Sequence, residues 1–119
     1  MNPQKFYSAL LAADLPAAED WYTKLLGRGP DHRPMDTLVQ WELFDHGGLM
    51  LSTSDEIAGR GVIFFYVDEI ATERHRLGSL GIVLGDDIGG DYSTLAQVRD
   101  PDGNLVTLAT PPSRPFPLA

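Results

Sequence analysis

The chain has no cysteine, so disulfide cross-links and thiolate catalysis are excluded. Positive charge is scarce: 9 Lys and Arg stand against 17 Asp and Glu, a net charge of −8 over 119 residues. That balance, with no basic patch to neutralise phosphates, argues against nucleic acid or an anionic membrane as partner. It is compatible with a cationic ligand. Most acids, however, fall at helix starts and loops (Glu19-Asp20, Asp55-Glu56, Asp68-Glu69, Asp86-Asp87 and Asp102), where they serve solubility. No segment has the apolar length of a membrane helix, and Met1-Asn2-Pro3-Gln4-Lys5 leads into strand pattern without a hydrophobic signal run, so a soluble cytoplasmic protein is expected. Histidine is sparse as well. His32 and His46 flank loops and His75 lies between Arg74 and Arg76 in a helix pattern, with no two at metal-ligand spacing, so all three are expected in solvent.

What the chain does have is Asp100-Pro101-Asp102-Gly103-Asn104 followed by Leu105-Val106-Thr107-Leu108. Pro101 presets a negative φ, Gly103 tolerates a positive one, and the Asp and Asn side chains can bond nearby backbone. The spacing predicts a hairpin, with Leu95–Arg99 entering and Leu105–Thr110 leaving.

A weak internal repeat surrounds this turn. Tyr7 to Leu15 reads as an alternating strand running into Asp14, which can cap a helix over Pro16–Leu26. Val62 to Ile70 does the same into Asp68-Glu69, ahead of a helix over Ala71–Leu80. Gly27 and Gly81 follow the two helices as terminators. Further strand signals are Leu38–Phe44 and Leu49–Thr53 in the first half, and Ile82–Leu84, Leu95–Arg99 and Leu105–Thr110 in the second. Each half is thus strand, helix, then a meander of strands. The two share order and pattern more than residues.

Ala13-Asp14-Leu15 through Trp21-Tyr22-Thr23-Lys24-Leu25-Leu26-Gly27, then Val67-Asp68-Glu69-Ile70, then Asp100-Pro101-Asp102-Gly103-Asn104, together resemble the vicinal oxygen chelate superfamily, which holds glyoxalase I, the bleomycin-resistance proteins and the extradiol dioxygenases. The resemblance covers about residues 5–110. It implies an α+β fold of two βαβββ modules, their curved mixed sheets set around a cup. The expected organisation is a single domain over residues 1–119: module one at about 5–53, module two at about 61–110 and a tail at 111–119.

The enzymes of that superfamily hold a divalent metal with His or Glu from the first and last strands of each module. At the matching positions this chain has Tyr7, Met50, Val62 and Thr107, none of which supplies a comparable imidazole or carboxylate ligand. A shift of one residue puts Ser8, Leu51, Ile63 and Leu108 there and reverses the face. No metal and no other cofactor is therefore expected. Period two then adds Ala9, Leu11, Ser52, Phe64, Tyr66, Leu105 and Ala109 to the lining of the cup, with Leu10, Leu49, Leu51, Ile63, Phe65, Val106 and Leu108 beneath the helices, so both sheet faces are expected to be buried. Hydrophobic walls with a few hydroxyls suit a small-molecule pocket, and equally a filled core.

In the strand Leu38–Phe44, Trp41 is either a stacking wall or a core residue, and Glu42 would act as a base if an apolar cup raised its pKa. The expected ligand-binding set is Tyr7, Trp41, Met50, Val62, Phe64, Tyr66 and Thr107, with no catalytic residue assigned. The function that follows is metal-independent binding of a partly hydrophobic or aromatic small molecule, of the glyoxalase/bleomycin-resistance type. The alternative is a lyase, isomerase or dioxygenase of the same fold with an atypical site. Ser54–Gly61 reads as a linker, Gly27–Thr37 and Gly85–Ser93 as loops, and the proline-rich tail as extended on the surface. The resemblance further implies a homodimer, to which Phe116 and Leu118 offer apolar surface.

Overall fold

The structure, a computed structural model, describes every residue except Asp55 of the expected linker and Ala119 of the expected tail. The chain is α+β and alternates as the repeat requires: β1 (Phe6–Ala12), α1 (Leu15–Leu26), β2 (His32–Met35), β3 (Leu38–Phe44), β4 (Gly47–Thr53), β5 (Val62–Tyr66), α2 (Ile70–Ser79), β6 (Ile88–Gly89), β7 (Thr94–Arg99) and β8 (Leu105–Ala109). Two four-stranded sheets have equivalent orders, β1-β4-β3-β2 and β5-β8-β7-β6. Two compact units result. Unit one is residues 1–61 together with 99–105, and unit two is residues 62–98 with 106–119.

In unit one, β1 runs parallel to β4, while β3 is antiparallel to both β4 and β2. Alternation along the strands sends Leu10, Ala12, Val39, Trp41, Leu49 and Leu51 to one buried face, and α1 lays Leu15, Ala18, Tyr22 and Leu25 against it. Asp14 caps α1 as its spacing predicts, accepting from the Ala17 N–H at 3.1 Å, and Pro16 fits the first turn, where its missing N–H costs nothing. Gly27 closes the helix in the left-handed conformation.

In unit two the N-cap of α2 is Glu69, and it makes no side-chain capping bond. The far end of α2 is a Schellman motif: Gly81 at φ 86 donates to Gly78 O, and Ile82 N–H donates to Leu77 O. Leu77 and Ile82 are both buried, as that motif favours.

Three expectations are corrected. Ile82–Leu84 is not a strand. Its alternate residues are buried, but the motif uses the Ile82 N–H, and the chain rejoins the sheet only where Gly85 N–H donates to Gln97 O. The expected loops at 27–37 and 85–93 contain the short strands β2 and β6, whose residues are all exposed and carry no apolar alternation; Pro34 is tolerated because β2 is an edge. Finally, burial of both sheet faces is not general: Ala9, Val62, Phe64 and Tyr66 are exposed, whereas in β8 the consecutive residues Val106, Thr107, Leu108 and Ala109 are all buried.

Candidate functional site

The open face of sheet one is built in rungs by its register. Tyr7 pairs with Gly48, then Ala9 with Met50, Gln40 and His32, then Leu11 with Ser52, Leu38 and Met35. Residues in register share a face, so Tyr7 and Met50 stand on it together. Gly48 matters here because it places no side chain between β1 and β3. Tyr7 therefore reaches across β4, its hydroxyl 2.7 Å and 2.8 Å from the two carboxylate oxygens of Glu42. Gln40 donates to the same carboxylate at 2.6 Å, and His32 Nε2 lies 3.8 Å from it.

The loop after α1 fixes the backbone of Glu42. Glu42 N–H donates to Asp31 at 2.7 Å, Arg28 donates to Glu42 O at 3.0 Å and pairs with Asp31, and Asp31 N–H donates to Gln40 O. The Tyr7 and Gln40 donors hold the Glu42 carboxyl below its ordinary range, and the same hydrogen bond pushes the Tyr7 phenol up. Asp31 is lowered too, first by the Glu42 N–H and then by Arg28. The condition under which Glu42 would act as a base, an apolar setting that raises its pKa, is thus not met on this face. It holds a fixed anionic acceptor.

Trp41 lies on the opposite face, fully buried, with its indole N–H donating to Arg28 O at 2.9 Å. It is a core residue and leaves the ligand-binding set. In unit two, Val62, Phe64 and Tyr66 alternate along β5 with exposures of 66%, 50% and 54%, and the Phe64 and Tyr66 rings meet edge to face at 5.2 Å. Thr107 is buried in the interior strand β8, its hydroxyl accepting from Gln97 at 3.1 Å. His32 sits in β2 rather than in a loop, and His46 and His75 make no metal-binding group. Among the described residues, no three His, Cys, Asp or Glu are placed to hold a metal ion. The donor set does not fit the superfamily's metal.

The Asp100–Asn104 turn does more than join two strands. The Asp100 carboxylate, buried, accepts the N–H groups of Asp102 and Asn104 on one oxygen, and Tyr22 OH and Asn104 Nδ2 on the other, at 2.7–2.9 Å. Asp102 in turn accepts the Ala13 N–H at 2.8 Å, Asn104 Nδ2 also donates to Leu11 O, and Asn104 Oδ1 accepts the Gly61 N–H at 2.7 Å. Burial and the Asp100 hydrogen bond push the Tyr22 phenol far above its ordinary pKa. Gly59 leaves no room for a side chain: at φ 86, a Cβ would lie 2.1 Å from Asp102 O. The sequence marks this turn as a hairpin but carries no local sign that it ties α1, β1 and the linker.

This chain has the glyoxalase/bleomycin resistance fold. Its structure is similar to a glyoxalase/bleomycin resistance protein from Catenulispora acidiphila DSM 44928 at TM-score 0.82 and 22% identity, covering 91% of this chain and 98% of that one. It is similar to TnmS3, an antibiotic binding protein from Streptomyces sp. CB03234, at TM-score 0.71 and 20% identity over 93% and 96% of the two chains. A lactoylglutathione lyase from Agrobacterium tumefaciens matches at TM-score 0.71 and 26% identity over 87% and 90%. By sequence, no family model and no curated protein matches the chain. The vicinal oxygen chelate resemblance therefore holds at the level of the fold. No helix among the described residues is long and apolar enough to cross a membrane.

Proposed function

We propose that this protein binds a partly hydrophobic or aromatic small molecule without using a metal. The open face of sheet one offers contacts at Tyr7 and Met50, and that of sheet two, taken by itself, offers Val62, Phe64 and Tyr66; Thr107, buried with its hydroxyl engaged by Gln97, is set aside. The observation that carries this reading is the Tyr7–Glu42 hydrogen bond across Gly48, beside Ala9 and Met50. It presents an accessible strand face in which Ala9, Leu11, Met50 and Leu38 stand beside an anchored carboxylate, a mix of apolar wall and fixed polar group that can orient small ligands. An antibiotic binding protein of the same fold supports a binding role. A carboxyl held below its ordinary range is a weak general base, which disfavours the enzymatic alternative through Glu42. In this reading the chain acts in the cytoplasm as a homodimer, with the exposed Phe116 and Leu118 among the surface available to a second copy.

A thermal-shift screen with planar antibiotics and hydrophobic metabolites tests the proposal, because a molecule bound only by the folded state raises the midpoint. Phe64→Ala and Tyr66→Ala should each weaken a hit by about 5- to 30-fold, the loss of one partly buried ring. Survival of binding in both variants would remove the β5 face from the site. A stoichiometric divalent ion retained after purification without chelator would overturn metal independence. Light scattering should give twice the 13.0 kDa chain mass, and the single-chain mass would count against the dimer.

A further inference from the structure

The linker, so far only a connection, carries the one arginine that the other described residues leave unpaired. Six of the seven arginines are engaged: Arg28 with Asp31, Arg33 with Glu19, Arg74 with Asp87, Arg76 with Glu73, Arg99 with Gly103 O, and Arg114 over the Tyr92 ring at 4.7 Å. Arg60 alone has no hydrogen bond, ion pair or ring contact among the described residues. In a chain of net charge −8, a guanidinium without a carboxylate partner among the described residues is a vacancy for an anion. It also has an apolar neighbour. Arg60 lines a cavity of about 350 Å³ along the edge of β1, whose other walls are Ala9, Leu10, Leu11, Ile57 and Gly61.

The backbone on both sides of Arg60 is pinned. Gly59 adopts its positive φ against Asp102 O, while Gly61 N–H donates to Asn104 Oδ1 and Gly61 O accepts the Leu105 N–H at 2.9 Å. A Cβ on Gly61 would lie 2.4 Å from the Leu10 side chain, so the chain there is pressed against the cavity wall. The buried Asp100–Asn104 knot thus sets where Arg60 leaves the surface, so little backbone ordering remains to be lost on binding.

We infer that Arg60 and the Ala9, Leu11 and Ile57 cavity form a subsite for a small amphipathic carboxylate, its apolar body in the cavity and its head on the guanidinium. The planar fork of arginine matches a carboxylate with two parallel hydrogen bonds, and the volume falls at the small end of the roughly 300–1,000 Å³ of small-molecule sites. The subsite shares Ala9 with the open face of sheet one but includes neither Tyr7 nor Glu42, whose fixed carboxylate repels such a head group.

Octanoate, octanol and octylammonium, titrated separately and followed by amide chemical shifts and calorimetry, test this. Octanoate should bind more tightly than octanol and octylammonium, with shifts centred on Ala9 to Leu11 and Ile57 to Gly61. Arg60→Gln, an exposed change that keeps the fold, should weaken octanoate about 10- to 100-fold, the range of a lost charge-assisted bond, and leave octanol unchanged. Arg60→Lys should recover part of the loss, and Ile57→Ala should weaken octanoate and octanol alike. Undetectable octanoate binding, equal binding of the three probes, or an Arg60→Gln variant that holds octanoate like the parent would each overturn the inference. Phe64→Ala and Tyr66→Ala should leave octanoate untouched, which separates failure here from failure of the proposed function.

Discussion

Replacing Tyr22 by Phe removes a single oxygen from the interior of unit one and leaves the ring, with its edge contact to Trp21 at 4.9 Å, in place. Tyr22 is fully buried, and its hydroxyl donates to Asp100 Oδ2 at 2.7 Å. The acceptor is a buried carboxylate, so the lost bond belongs to the stronger class of about 1.5–3 kcal/mol, and no water replaces the missing donor. For a chain of this size, about 2 kcal/mol corresponds to a fall in Tm of roughly 6–12 °C. Urea denaturation should show a lower midpoint with an unchanged slope, since the surface exposed on unfolding is the same. Asp100→Asn should cost more, about 3–5 kcal/mol, because an amide NH2 must face either the two backbone N–H groups or the Tyr22 and Asn104 donors. In the double variant the two losses should overlap by about 1–2 kcal/mol, as for residues sharing one network. A Tyr22→Phe protein within about 0.5 kcal/mol of the parent, or strict additivity with Asp100→Asn, would refute the view that this carboxylate organises unit one.

Tyr7→Phe should raise the Glu42 carboxyl toward its ordinary value, since the Tyr7 hydrogen bond is the largest cause of its lowering; carbon-detected NMR titration reads this directly. A folded-state carboxyl held below its unfolded value adds stability that is complete above the unfolded pKa and disappears as pH drops through the folded one, so the acid side of the stability profile should flatten in Tyr7→Phe. Gly59→Ala forces a side chain into left-handed backbone against Asp102 O and should cost at least about 1–2 kcal/mol in urea denaturation. It should also weaken octanoate by displacing Arg60, while Gly29→Ala, in open space, should do neither.

The architecture was legible wherever periodicity and punctuation agreed. Asp14, Pro16 and Gly27 bracket α1, and apolar alternation marks β1, β3 and β4. β2 was not legible, because His32-Arg33-Pro34-Met35 is an exposed edge with nothing to bury. Ile82–Leu84 misled for the opposite reason: two buried residues satisfy a helix terminus and its neighbourhood without any ladder. Site prediction failed where the answer depended on which strand face meets α1. Val39 and Trp41 alternate with Leu38 and Gln40, and only the packing of α1 on β4 decides that Trp41 goes inward. The Glu42 environment needed Gly48 opposite Tyr7, a register fact, and Arg60 gave no sign, since a charged linker residue is ordinary until every other arginine is found engaged.

The Asp100–Asn104 knot also sets the order of events in time. Tyr22 is 78 residues from Asp100 along the chain, and Leu11 is 93 from Asn104. Closing a loop of that length costs about 2 kcal/mol more than closing one of ten residues. During synthesis, at about 5–20 residues per second, residues 62–98 take roughly two to eight seconds to emerge before the turn can arrive. For that interval α1 and β1 lack the carboxylate that receives the Tyr22 hydroxyl and the amide that reaches Leu11 O. The first half of this protein is therefore made early and completed late.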